Sequence, residues 1–110
     1  MRSKLLVIIA TKDKEKALSG LMYARNAWGG AWFDDVKVVF FGPSEKLMVN
    51  DEEVEEAVKN IKVVGEIFAC KAISNRENIS EEIEKLGVTV MGVGSVISNF
   101  IKDGYVPMVW

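Results

Sequence analysis

Apolar positions along this chain follow two alternating spacings. Short apolar runs occupy Lys4–Ala10, Val36–Phe41, Glu66–Cys70, Val88–Met91 and Tyr105–Trp110, bounded by glycine, proline or charged residues. Runs of that length predict buried strands. Between them the spacing becomes helical: Ala17, Leu21, Ala24 and Trp28, then Val54, Ala57, Val58 and Ile61, then Ile79, Ile83 and Leu86, and last Ile97, Phe100 and Ile101. Thr11 is expected to cap the first helix and Gly29-Gly30 to end it. Ser44 is expected to cap a short helix over Glu45–Val49. Asn50 with Glu53, and Asn78 with Glu81, have the spacing of capping boxes. Gly87 is a natural helix stop. Pro107 lacks the N–H that a ladder needs, which places the last strand at a sheet edge.

Alternating strands and helices predict a three-layer α/β/α fold around a mostly parallel five-stranded sheet, with Rossmann-like topology. No linker, repeat or low-complexity segment interrupts the pattern, so residues 1–110 read as a single domain. Hydrophobic residues make up 49% of the chain, enough for a substantial core.

Composition then narrows the chemistry. The net charge is −2 and no basic patch is evident, so nucleic acid is not an expected partner. Histidine is absent, which removes Ser-His-Asp and Cys-His catalysis and every His-ligated metal site. No metal and no cofactor are expected. The single cysteine argues against a secreted, disulfide-stapled fold. Arg2 and Lys4 before Leu5–Ala10 superficially resemble a signal peptide, but the run is short and Lys12, Asp13, Lys14 and Glu15 follow it. No apolar run is long enough to span a membrane. A cytoplasmic protein without a membrane partner is expected.

Cys70 is the main candidate for chemistry. It ends the run Ile67-Phe68-Ala69, and open α/β sheets place ligands at the carboxyl ends of their strands. A helix starting there would favour the thiolate, and so would the charge of Lys71. Equally, free cysteine often serves as a small core hydrophobe. Gly92-Val93-Gly94-Ser95 is the second candidate, because backbone N–H groups of Gly92, Gly94 and Ser95 can cradle an anion. The plainer reading is a tight turn that needs small residues for packing. If the third and fourth strands are neighbours, this turn and Cys70 share one crevice. The turn does not match Gly-x-Gly-x-x-Gly, and Thr11-Lys12 opens a charged helix start, so neither a dinucleotide nor a flavin is expected. Trp28, Trp32 and Phe33 either form a patch covered by another subunit or fold back within the chain. The acidic residues of 51–56 and 81–84 read as solvated helix starts.

With these residues in view, the chain resembles the DsrE/DsrF-like family of the YchN-like fold, which includes TusD-type sulfur-relay subunits. Phe68-Ala69-Cys70, the Gly87–Gly94 strand and turn, and Asp103-Gly104-Tyr105 carry the resemblance, which spans the whole chain. It implies a trimer or hexamer, or an assembly with related sister subunits. It also implies a persulfide-bearing cysteine at Cys70 and a sulfur-carrier protein as partner. The expected function is sulfur trafficking, with Cys70 accepting sulfane sulfur and passing it to a partner thiol, so a sulfurtransferase or carrier. The alternative is a non-enzymatic oligomeric binding or scaffold module with a structural cysteine. A small-molecule or nucleotide-binding domain is the third reading.

Overall fold

The computed structural model describes residues 2–110. Five strands are present: β1 (Lys4–Ile9), β2 (Asp35–Phe40), β3 (Ile67–Cys70), β4 (Thr89–Met91) and β5 (Tyr105–Val109). They form one sheet in the order β4-β3-β2-β1-β5, and every pairing is parallel. Parallel strands need crossovers, and six helices supply them: α1 (Lys14–Gly29), α2 (Ser44–Asn50), α3 (Glu52–Ile61), α4 (Lys71–Arg76), α5 (Ser80–Lys85) and α6 (Val93–Lys102). A 3-10 turn over Lys62–Val64 leads into β3. The expected architecture is therefore present, with a sheet that is wholly rather than mostly parallel.

Crossover handedness decides the layers. From β1 to β4 the chain steps steadily toward one edge, so right-handed connections stack α1, α2, α3 and α5 on one face. The step from β4 to β5 runs back across the sheet, which puts α6 on the opposite face. Two separate cores result. Leu5, Val7, Ile9, Val38 and Phe40 meet the buried sides of α1, α2, α3 and α5. Leu6, Ile8, Val39, Phe68 and Cys70 meet Val93, Val96, Ile97 and Phe100 of α6. β1 is an interior strand between β2 and β5 and is buried almost throughout, which explains its unbroken aliphatic run.

Pro107 lies on β5 at the sheet edge, as its missing N–H requires. The helix caps differ from the sequence expectation. Thr11 does not cap α1. Its hydroxyl accepts the Asp13 N–H at 2.9 Å, and Asp13 is the cap, accepting from the Lys16 N–H at 3.0 Å. Asp51, not Asn50, caps α3, taking the N–H groups of Glu53 and Val54 at 3.0 and 3.1 Å. Ser44 is no cap, because its hydroxyl is spent on the Ile9 carbonyl at 2.5 Å, which ties α2 to the end of β1. Asn78 adopts φ 58° in the turn before α5 and makes no cap bond.

Trp28 does not continue the buried stripe of α1. Ala27 does, and Trp28 is 43% exposed with the Arg25 guanidinium 5.5 Å from its ring centre. Trp32 folds back toward Tyr23, which in turn meets Trp110. Phe33 packs on the larger core. No helix among the described residues is long and apolar enough to cross a membrane.

Candidate functional site

Cys70 is the last residue of β3, and α4 begins at the next position. Its Cα is paired in register with Met91, the last residue of β4. Gly92 then caps α6. The third and fourth strands are therefore neighbours, and the Cys70-Lys71 junction and the Gly92–Ser95 turn stand side by side on the carboxyl rim. This is also where the sheet changes hand: the chain leaving β3 goes to the larger face and the chain leaving β4 to the α6 face. In α/β proteins ligands commonly bind at such divergences.

The thiol itself is enclosed. Cys70 is 6% exposed, and it packs in the smaller core with Phe68 and Val93, with Ile73 of α4 at its margin. Met91 beside it is 39% exposed. Lys71 extends into solvent and makes no ion pair among the described residues. α4 has only six residues, so its dipole is a weak aid to a thiolate. No group of three or more His, Cys, Asp or Glu among the described residues is arranged to hold a metal ion.

The Gly92–Ser95 turn corrects one expectation. A β-carbon added at Gly92 or Gly94 would meet nothing within 4 Å, and neither residue has a positive φ. Packing does not require the small residues here. Ser95 hydroxyl donates to the Gly92 carbonyl at 3.4 Å, closing the first turn of α6. Gly42, on the same rim after β2, is the opposite case. Its φ is 115°, and a β-carbon would sit 3.1 Å from the Ala10 carbonyl oxygen.

Glu45 is the rim residue that sequence reasoning missed. It lies in the first turn of α2 and is 0% exposed. Its Oε2 accepts the Gly42 N–H at 3.4 Å. Its Oε1 has no hydrogen-bond partner. Burial pushes the acid up to about 7, against the pull of the Gly42 and Cys70 amides. A weak signal was present: Glu45 and Met48 stand three apart, on the one face of α2 that is buried.

Beside this turn, Gly42, Pro43, Lys46, Ile73, Arg76 and Glu77 line a cavity of about 150 Å³. Lys46 and Glu77 close it with an ion pair of 2.9 Å. At the amino end of the strands, far from Cys70, the Tyr105 hydroxyl donates to Asp35, which also pairs with Lys37 at 3.2 Å. Burial and the Asp35 charge push Tyr105 up to about 12.

No protein-family model matches the chain, and no curated protein does. Among solved structures, a conserved protein of unknown function from Bacteroides thetaiotaomicron, BT1422, superposes with a TM-score of 0.84. It is 25% identical over 97% of this chain and 95% of its own. A protein of unknown function from Methanobacterium thermoautotrophicum, MTH1491, gives a TM-score of 0.75 at 18% identity, over 98% of this chain and 99% of its own. Both likenesses bear on the fold.

Proposed function

We propose that the chain is a cytoplasmic sulfane-sulfur carrier of the DsrE/DsrF-like kind, with Cys70 as the acceptor. One observation carries this reading: the only thiol ends β3 where the connections of neighbouring strands diverge, beside the Gly92–Ser95 turn. In thiosulfate the Cys70 thiolate attacks the outer sulfur. A new S–S bond forms on Cys70, the S–S bond of thiosulfate breaks, and sulfite leaves with the bonding electron pair. A partner thiolate then attacks the outer sulfur of the protonated persulfide and releases the Cys70 thiolate. The exchange needs no metal and no redox cofactor. In this reading Lys71 and the backbone amides of Gly92, Gly94 and Ser95 attract the dianionic donor.

A second reading keeps the thiol structural and makes the chain an oligomeric binding module. Two observations favour it: the burial of Cys70 and the apolar side chains of β5, of which Val109 is 66% exposed. A trimer or hexamer, or sister subunits, would cover such an edge in either reading.

Intact-protein mass spectrometry after incubation with thiosulfate or polysulfide separates the two. The carrier gains the mass of one or more sulfur atoms, loses it to reductant, and gains nothing as Cys70→Ser. An unmodified wild type whose folded thiol also resists alkylation establishes the structural cysteine.

A further inference from the structure

The rim between α2 and α4 holds the small cavity of about 150 Å³ lined by Gly42, Pro43, Lys46, Ile73, Arg76 and Glu77. That is well below the roughly 300 Å³ at which sites for drug-sized ligands begin, so an occupant has to be small. Its charges do not balance. Lys46 and Glu77 are spent on each other at 2.9 Å. Arg76 faces the same space and makes no ion pair among the described residues. A basic residue at a helix end often answers the helix dipole, but α4 has only six residues, so that pull on Arg76 is weak. α4 carries a second unpaired cation, Lys71, and no carboxylate of its own. The neighbouring carboxylates lie elsewhere. Glu81 and Glu82 line a different cavity, with Asn78, and Asp51 is held by Lys14. Glu45, bonded to the Gly42 N–H, does not line the space, and burial favours its neutral form.

We propose that this cavity binds a small divalent oxyanion of the sulfate or thiosulfate type, with the Arg76 guanidinium as its main partner and the Lys46 ammonium as the second charge. A guanidinium presents its N–H groups in a planar fork that matches two oxygens of such an anion. Lys46 has three donors and meets one oxygen of Glu77, so its ion pair need not break to admit the anion. Pro43 and Ile73 supply apolar wall, which thins the water between the charges and strengthens their attraction. Ile73 is shared with the core around Cys70, so the cavity adjoins the enclosure of the thiol. Thiosulfate held there is the donor of the carrier reading. That use of the site rests on the carrier reading, whereas the affinity for an oxyanion does not.

Calorimetric titration of Cys70→Ser with sodium thiosulfate, and of wild type with sodium sulfate, measures binding without sulfur transfer. At constant ionic strength both titrations are expected to saturate. Arg76→Gln should weaken each by about tenfold, the worth of one charge-assisted hydrogen bond. Lys102→Gln removes the same charge at the far end of α6 and should leave both unchanged. Titrations that never saturate, that Arg76→Gln leaves unchanged, or that Lys102→Gln weakens equally would overturn the site. Saturable, Arg76-dependent binding of thiosulfate with no sulfur gained by wild-type Cys70 would sink the carrier reading and uphold the oxyanion site. Sulfur loading of Cys70 without saturable binding would overturn the site and leave the carrier standing.

Discussion

The two faces of the sheet are covered unequally. Four helices lie over one face, and the nineteen buried residues of that core include most of the largest side chains. The other face has α6 and a core of seven buried residues. α6 runs from the carboxyl end of β4 to the amino end of β5, so the carboxyl half near β5 and β2 keeps Phe41 and Val109 exposed. The thick face holds most of the core, and the thin face holds the enclosed thiol. Cys70 belongs to the thin one, while the buried carboxyl of Glu45 belongs to the rim of the thick one.

Truncation tests this division most directly. Leu21→Ala, on α1 in the thick core, should cost about 2–5 kcal/mol, the range for deleting a fully buried aliphatic side chain. Ile97→Ala on α6 removes a half-buried side chain and should cost about 1–2 kcal/mol. Urea unfolding of both variants measures the gap. Equal losses would break the comparison, because the two faces would then share one cooperative core.

A pH scan of stability comes next in size. The folded value of Glu45 lies above its unfolded value of 4.5, so the stability it contributes is complete below about 4.5 and declines as pH rises through about 7. The loss by pH 8 should reach about 3 kcal/mol. Asp35 runs the other way: burial raises its acid, but the Tyr105 hydroxyl and Lys37 outweigh that and hold it below the usual range. Its contribution is therefore lost at the acid end. Denaturation of Glu45→Gln should match wild type near pH 4 and exceed it at pH 8. A variant that is no more stable than wild type at pH 8 would show that the thick face carries the charge without strain.

The smallest effect concerns the turn at the start of α6. Gly94→Ala meets open space inside a helix, and should raise stability by about 0.5 kcal/mol. Thermal melting measures that gain. Sulfur loading of the same variant then reports whether the open space beside Gly94 admits the donor.

Much of this molecule was legible in the chain. Apolar runs marked all five strands and Pro107 marked an edge, but the burial expected of those runs holds for β1, β2 and β3 only: β4 is partly buried, and β5 beyond Tyr105 is exposed because it is an edge strand with little packed over it. The caps were not legible. Thr11 and Asp13, or Asn50 and Asp51, offer equivalent side-chain oxygens, and the turn of the backbone selects between them. Trp28 fitted the helical period of α1, but the sheet leaves room only for Ala24 and Ala27, so the ring turns outward. Glu45 escaped notice because a carboxylate in a two-turn helix ordinarily faces water. Its burial follows from the anchoring of Ser44 to β1, a contact between residues far apart in sequence. Cys70 was singled out by its place at a strand end, which the structure has, whereas its enclosure depended on α6, which returns to that face only after β4.

The pairing of Lys4 with Tyr105 has a kinetic consequence. β1, the most apolar strand, keeps one edge unsatisfied until β5 docks from the far end of the sequence. Local contacts can assemble β1 through β4 and their helices first, but closing the sheet waits on that long-range encounter. In the interval an aliphatic strand edge stands open to other chains. Docking of β5 is therefore what closes the aliphatic edge of β1 to other chains.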